Sequence, residues 1–124
     1  MIAVIFEVVP SADGYEAYLD HAARLRPILD TIDGFISIER FQSLSREGKL
    51  VSLSFWRDED SVRRWREHPE HRKAQAAGRQ GVLEDYRLRV AEVVRDYGLY
   101  NRDEAPAGHE PVAARCPLPS SGLW

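Results

Sequence analysis

Residues 35–56 read FISIERFQSLSREGKLVSLSFW, which is two apolar segments joined by a short polar one. The first segment, 35–43, contains two Phe and two Ile, and the second, 50–56, is LVSLSFW. β-Branched and aromatic residues in short runs favour strands. The polar residues between them include Gly48, which suits a tight turn. The stretch therefore predicts two antiparallel strands that form a hairpin.

A helix is predicted before the hairpin. The segment Asp13-Gly-Tyr-Glu16 resembles a capping box, in which the Asp side chain accepts from a free backbone N–H of the first helical turn. Apolar residues then recur at spacings of three and four up to Ile32, which gives one apolar stripe. Pro27 is expected to bend or restart this helix near residue 26, because proline lacks the N–H of a helix interior. Gly34 supplies the stop.

A broken helical segment is predicted after the hairpin. Asp58 is the expected N-cap, and Glu59 and Asp60 in the first turn suit the positive end of the helix dipole. Pro69 fits the first position of a new helix, so a break is expected at His68 and a second helix from 69 to about 80.

The two ends of the domain are predicted to be strands. Residues 2–9 read IAVIFEVV, and residues 86–97 read YRLRVAEVVRDY, with Tyr86, Leu88 and Val90 on one face of the strand. The element order is then β-α-β-β-α-β, an α+β ferredoxin-like arrangement with a four-stranded antiparallel sheet. We assign residues 1–97 to this domain. Residues 98–124 hold four of the seven prolines and are expected to form an extended tail or arm.

All four predicted strands are apolar at most positions of both faces. Helices in this arrangement cover one face of the sheet, and a bare apolar second face exceeds what monomers usually expose. We therefore expect a homodimer in which the two sheets face each other.

Composition excludes several classes of protein. Among 124 residues, 17 Lys and Arg face 20 Asp and Glu, for a net charge of −3, and 44% are hydrophobic. These values argue against disorder and against a nucleic-acid-coating basic protein. The single cysteine, Cys116, forms no internal disulfide. The apolar run that stops at Glu7 is too short for a signal peptide or a membrane span, so we expect a cytoplasmic protein.

With these elements in place, the sequence resembles the antibiotic biosynthesis monooxygenase (ABM)-like family of dimeric α+β barrels. The resemblance covers residues 1 to about 97 and is carried by three stretches: Gly34-Phe-Ile-Ser-Ile-Glu-Arg-Phe41, Ser54-Phe-Trp56, and Trp65-Arg-Glu-His-Pro-Glu-His-Arg72. It implies a dimeric barrel. It also implies one of several activities, because the family contains cofactor-independent enzymes that oxidise aromatic compounds, haem-degrading enzymes and members without known chemistry.

Haem-degrading relatives use an Asn on the first strand, a Trp on the helix and an iron-binding His ten residues after that Trp. Trp65 matches the Trp of this pattern, but Gln75 stands at the position of the His. The only Asn of the chain is Asn101, in the predicted tail. The chain therefore lacks both the axial ligand and the second polar group of the haem pattern, and it also lacks the Asn that quinone-forming relatives use to contact the substrate anion.

Residues 69–80, taken as a helix, place His71, Ala74, Gln75 and Gly78 on one face. Small residues on this face leave room, so His71 and Gln75 point into a cavity or hydrogen-bond within a packed interface. A histidine has a pKa suited to a base near neutral pH.

Three residues are the candidate catalytic groups of this site: His71 as the base, Trp65 as a platform that orients an aromatic ring, and Arg79 as a stabiliser of negative charge. Trp65 is also a natural core anchor, and Arg79 also suits a helix end. The candidate substrate-binding residues are Gln75, Gly78, Glu7, Glu39 and Trp56.

Glu7 and Glu39 lie among apolar strand residues. If buried alone, either would have a raised pKa and could act as a base, and if paired, Arg40 or Arg87 is the expected partner. His68 and His71 lack a third ligand of suitable spacing, so no metal site is expected.

These observations favour a cofactor-independent monooxygenase that oxidises a small aromatic or quinol-like molecule with dioxygen. The alternative from another class is a non-catalytic dimeric module that binds a small molecule or serves in a stress response. A haem-degrading monooxygenase is the third alternative.

Overall fold

The computed structural model describes residues 1–107. Residues Met1–Val93 form one compact unit, and the described residues from 94 onward belong to a second unit. Much of the predicted tail, with Cys116, lies outside the described residues. No helix in the described part is long and apolar enough to cross a membrane.

The first unit contains four strands and three helices in the predicted order. Their bounds are β1 Ile2–Pro10, α1 Tyr15–Leu29, β2 Phe35–Gln42, β3 Leu50–Trp56, α2 Glu59–Arg66, α3 Pro69–Ala77 and β4 Leu83–Glu92. A wide π-helical turn, Gly78–Val82, joins α3 to β4. The strands form one antiparallel sheet in the order β2-β3-β1-β4, which confirms the α+β ferredoxin-like fold.

The hairpin prediction is confirmed by the pairing of β2 with β3. Gln42 pairs with Leu50 next to the turn, and Arg40 pairs with Ser52 two residues further from it. At the other end of the hairpin an irregularity lies between Phe35 and Ser37.

The predicted capping box of α1 is wrong. Gly14 occupies the N-cap position and no side chain caps the helix. Backbone hydrogen bonds fix the residues before the helix instead. The Gly14 amide donates to the Ser11 carbonyl at 2.9 Å, and the Ser11 amide donates to the distant Val82 carbonyl at 3.0 Å. A long-range contact has therefore replaced the local cap that Asp13 would have supplied.

The predicted restart of α1 at Pro27 is also wrong, because the helix continues to Leu29 with Pro27 inside it. Pro27 stands in the last turn, so the helix loses one hydrogen bond close to its end. Leu29, only 3% exposed, belongs to the main core cluster, and Ile28 packs against that cluster. Burial of these two apolar residues favours the continuous helix.

The predicted start signals of α2 and α3 are confirmed. The Asp58 side chain accepts a hydrogen bond from the Ser61 amide at 2.8 Å. Pro69 begins α3, and His68 caps it by accepting from the Glu70 amide at 3.1 Å.

The predicted bounds of α3 and β4 are partly wrong. The helix ends at Ala77 and not near residue 80, because the wide turn follows, in which Gly81 adopts a φ of 112°. Strand β4 begins at Leu83 and ends at Glu92, which pairs with Ile2 at the start of β1. Beyond Glu92 the partner strand ends, so β4 cannot continue to residue 97.

The helices pack on one face of the sheet. One core cluster contains Ile2, Leu29, Trp56 and Trp65, and a second contains Val8, Tyr18 and Leu50. The other face carries Ile5, Leu53 and Phe55, which are half-buried in the single chain.

We predict that Gly14→Ala destabilises the first unit. A Cβ at this position would collide with the Val82 carbonyl oxygen and the Ser11 hydroxyl, and would lie 2.9 Å from the Val82 carbonyl carbon. The expected loss is about 1–3 kcal/mol of unfolding free energy, measured by urea denaturation. Gly98→Ala is the control, because nothing lies within 4 Å of its Cβ. Equal unfolding midpoints for the two variants would contradict the prediction.

Candidate active site

A cavity of about 320 Å³ lies between the helices and the sheet. All four strands contribute to its floor, through side chains that share the helix-facing side of the sheet. These floor residues are Val4, Phe6, Ile38, Arg40, Ser52, Ser54, Trp56, Tyr86, Leu88 and Val90. The floor is thus mostly apolar, with three hydroxyls and one guanidinium.

One wall of the cavity comes from the broken helical segment. Trp65 lines it from α2, and His71, Ala74 and Gln75 line it from α3. Gly78 lines it from the turn that follows. The face on which the helical spacing places His71 and Gln75 is therefore a cavity face.

Trp65 is the centre of a small aromatic cluster. It is 9% exposed and belongs to the main core cluster. The centroid of its ring lies 4.8 Å from that of His71, with 37° between the planes, and 5.8 Å from that of His68. Trp65 therefore packs in the core and also contacts the candidate base.

His71 has a lowered pKa. Burial is the main cause, because it penalises the charged ring, and nearby His68 lowers the pKa further, while a hydrogen bond to the Arg66 carbonyl raises it. The His71 Nδ1 atom is buried and has no hydrogen-bond partner among the described residues. At neutral pH the ring is uncharged, which is the form that accepts a proton.

Glu7 lies on the opposite face of the sheet from the cavity floor. It forms ion pairs with Lys49, at 2.7 Å, and with Arg89. The hydrogen bond from Lys49 and then that from Arg89 hold its pKa below the ordinary value. Glu7 is therefore paired and not a base of raised pKa. The expected partners, Arg40 or Arg87, are wrong, because Arg40 faces the cavity and the ion pairs form with Lys49 and Arg89.

Glu39 is exposed and is absent from the cavity lining. It follows Ile38 and precedes Arg40, and both of these residues line the floor. Period-two alternation therefore turns Glu39 to the other face of the sheet. The structure does not bring Glu7 or Glu39 to the candidate site.

The other predicted site residues line the cavity in different settings. Trp56 is 2% exposed, and its indole N–H donates to the Ser54 hydroxyl at 2.9 Å, so it forms a fixed part of the floor. Gln75 and Arg79 line the cavity but are otherwise exposed, which places them near its mouth.

Sequence reasoning missed several polar residues of the site, and three of them lie together. Arg40, Tyr18 and Ser52 all line the cavity, and the Arg40 Nε–H donates to the Tyr18 hydroxyl at 3.3 Å. The sequence could have predicted Ser52. Side chains alternate along a strand, so Ser52 and Ser54 of β3 lie on the same face as Trp56, which was a predicted site residue. That Arg40 lies beside Ser52 could not be predicted in this way, because it depends on the pairing register of β2 with β3.

Residues 1–77 match the model of the family described as antibiotic biosynthesis monooxygenase. The chain belongs to the antibiotic biosynthesis monooxygenase family. The matched residues contain β1 to β3 and all three helices, and hence most of the cavity wall.

Two known proteins match the chain in sequence. The protein named jasmonate monooxygenase ABM, from Pyricularia oryzae, is 56% identical over 93 residues, which is 75% of this chain. The chain spans 43% of the length of that relative. The uncharacterized protein YqjZ of Bacillus subtilis is 33% identical over 93 residues, or 75% of this chain and 79% of its own length.

Solved structures show the same fold. Rv0793 from Mycobacterium tuberculosis aligns with a TM-score of 0.70 and 18% identity, over 78% of this chain and 98% of its own. SnoaB from Streptomyces nogalater, described as a cofactor-independent oxygenase and solved as a mutant, aligns with a TM-score of 0.66 and 15% identity, over 77% of this chain and 94% of its own. At these identities the likeness concerns the fold.

The residues of the cavity do not fit the haem-binding pattern that some relatives use. Gln75 lines the cavity where that pattern requires the iron-binding His. A side-chain amide is not among the usual axial ligands of haem iron. The described residues also contain no group of three or more His, Cys, Asp or Glu that could hold a metal ion.

We predict that His71 contributes to acid sensitivity of the fold. Its pKa is lower in the folded state than the ordinary value of about 6.5, so the unfolded chain binds more protons between these two values. Stability therefore falls as pH decreases through that window, by at most about 1.4 kcal/mol per pH unit from this group. His71→Gln should remove this part of the dependence.

Urea denaturation between about pH 8 and about pH 5 measures the effect. His68→Asn is the comparison variant: it removes only the smaller contribution of the neighbouring imidazole to the lowered pKa of His71 and retains an N-cap oxygen for α3, so most of the pH dependence should remain. Parallel pH profiles for wild type and His71→Gln would contradict the prediction.

Proposed function

We propose that this protein is a monooxygenase that oxidises a small, largely apolar molecule with dioxygen and without a cofactor. The substrate class is one that loses a proton to give an electron-rich oxyanion, as phenols, quinols and enolisable ketones do. The observation that carries the proposal is the enclosed, neutral His71 packed against Trp65 in the cavity wall.

His71 is the proposed base. Burial disfavours the charged ring, so near neutral pH the His71 ring is in the uncharged form, which can accept a proton. A phenolate or enolate formed in this way passes an electron to dioxygen far more readily than the neutral molecule does. Proton removal is thus the step that the protein has to supply.

Trp65 and Arg79 are proposed to hold the oxidised part of the substrate. The Trp65 ring offers an apolar surface next to His71, and its indole N–H has no hydrogen-bond partner among the described residues. Arg79, from the turn after α3, supplies positive charge toward the developing oxyanion. Gln75 and Gly78 border the same wall.

The overall reaction balances without an external reductant. A substrate methylene loses two hydrogens and becomes a carbonyl that contains one atom of dioxygen, and the second oxygen atom leaves as water. The substrate gives up four electrons and dioxygen accepts four. A phenol that becomes a quinone obeys the same balance.

Jasmonate is a candidate substrate alongside the quinols. The sequence relative that is 56% identical over 93 residues is named a jasmonate monooxygenase. Jasmonate is a small, mainly apolar cyclopentanone carboxylic acid, and its ketone can enolise. We therefore include it in the substrate panel on equal terms.

We predict that purified protein consumes dioxygen with at least one hydroxylated anthrone, quinol or jasmonate-type ketone, as measured with an oxygen electrode. His71→Ala should lower kcat/KM about 10²–10⁴-fold, because it removes the base. Trp65→Phe should weaken the reaction less, since it keeps an apolar ring. Lys73→Gln, the matched control on α3, should stay close to wild type, because Lys73 is exposed and absent from the cavity lining.

The result that decides between the two classes of function is a comparison of turnover with binding. If wild type and all variants are equally inert while a panel compound raises the melting temperature, the protein is a binding module and the proposal is wrong. Addition of haem tests the remaining alternative, because a shift of the Soret band would show a haem site.

The proposal includes a homodimer in which the second faces of two sheets meet. That face carries Ile5, Leu53, Phe55 and the 43%-exposed Phe41. Glu7, which also lies there, is neutralised by Lys49 and Arg89. A largely apolar face on which Glu7 is already paired suits a second copy of itself.

We predict a particle of twice 14.2 kDa by sedimentation equilibrium. Leu53→Glu and Phe41→Glu should each shift it toward a single chain, because a charge would be buried between the sheets. Leu44→Glu is the control, since Leu44 is fully exposed in the hairpin turn. A wild-type protein that sediments as one chain would refute the dimer, and circular dichroism checks that each variant is folded.

A further inference from the structure

The charges around the cavity are all of one sign. Its lining includes the guanidinium groups of Arg40, Arg66 and Arg79, and no Asp or Glu occurs among the lining residues that the structure describes. The chain as a whole has more acidic than basic residues, 20 against 17. The cavity is therefore an electropositive, otherwise apolar space in an acidic protein, which suits an anionic ligand.

Arg40 is the cation of the cavity floor. It projects from β2 to the same side as Ile38, and its strand partner is Ser52 of β3. The Nε–H donates to the Tyr18 hydroxyl at 3.3 Å, and the guanidinium carbon lies 5.8 Å from the centre of the Tyr18 ring. Within the described residues Arg40 forms no ion pair, so its terminal N–H groups have no carboxylate partner.

Two hydroxyl groups beside Arg40 also have a hydrogen to donate. Tyr18 accepts from Arg40, which leaves its own O–H hydrogen unused. Ser52 is 6% exposed, and its side chain has no hydrogen-bond partner among the described residues. Ser54, one position along the same face, differs because its hydroxyl accepts from the Trp56 indole N–H at 2.9 Å.

We propose that Arg40, Ser52 and Tyr18 form a subsite for the carboxylate of an apolar organic acid. A half-buried guanidinium without a counter-charge is costly, and a bound carboxylate satisfies it with two parallel hydrogen bonds. The Ser52 and Tyr18 hydroxyls complete the shell around a planar monoanion. The subsite belongs to the cavity of the proposed function and rests on that proposal for its role in catalysis.

The rest of the floor suits the hydrocarbon part of such an acid. Ser52 pairs with Phe6 of β1, and Phe6 pairs with Leu88 of β4, so the row that begins at Arg40 continues as an apolar strip across the sheet. The ligand class is therefore an acid with one carboxylate at one end of an apolar body. Arg40 acts as a residue that selects and positions the ligand.

The test compares an acid with its neutral ester. Jasmonic acid and methyl jasmonate have the same skeleton and differ in charge, and octanoate with methyl octanoate is the second pair. Dissociation constants are measured by calorimetry on the full chain under nitrogen, so that turnover plays no part. Wild type should bind the acids about 10–100-fold more tightly than the esters.

Arg40→Met should remove this preference by weakening acid binding about 10–100-fold while ester binding stays within about twofold. Arg40→Lys should restore part of the preference, since it keeps the charge without the planar fork. Ser52→Ala should reduce it by a smaller factor. The matched control is Arg63→Met, because Arg63 pairs with Asp60 on the surface and is absent from the cavity lining.

Three results would overturn the subsite: acids and esters that bind equally to wild type, an Arg40→Met variant that weakens both equally, or a wild type that binds no acid of either pair. Ser52→Ala provides the readout if Arg40→Met fails to fold. A failure of the proposed reaction alone can be distinguished from a failure of the subsite. In that case the acids would still bind with the Arg40-dependent preference, but no dioxygen would be consumed.

Discussion

Strand β1 is hydrogen-bonded along most of its length to β3 on one side and to β4 on the other. This double pairing sets which side chains meet above the sheet and which meet below it. Val4 and Phe6 turn to the helices, and Ile5 and Glu7 turn away from them. A shift of one residue in either pairing would exchange the two sets, so the cavity depends on this register.

The same alternation separates the charges of the sheet. Below it, Glu7 is held between Lys49 and Arg89. Above it, Arg40 faces the cavity with the Tyr18 hydroxyl as its partner and without a carboxylate. The charge of Glu7 is thus balanced within the chain, whereas no carboxylate among the described residues balances the charge of Arg40.

The contact between Trp65 and His71 depends on the break between α2 and α3. Residues six apart on one continuous helix point to different sides, because each residue turns the helix by about 100°. Pro69 starts a new helix, and the change of direction brings the two rings to 4.8 Å. The enclosure that lowers the pKa of His71 therefore follows from a proline that ends one helix and begins another.

Local patterns in the sequence determined the order of the elements, the hairpin around Gly48, and the helix starts at Asp58 and Pro69, because caps and periodicity act over a few neighbouring residues. They also placed His71 and Gln75 on one helical face. Only the tertiary structure decided the ion pair of Glu7 with Arg89, which is 82 residues away. The tertiary structure also decided that Arg40 contacts Tyr18 and that α1 continues beyond Pro27. These features depend on strand register and core burial, which join distant parts of the chain and leave no local pattern in it.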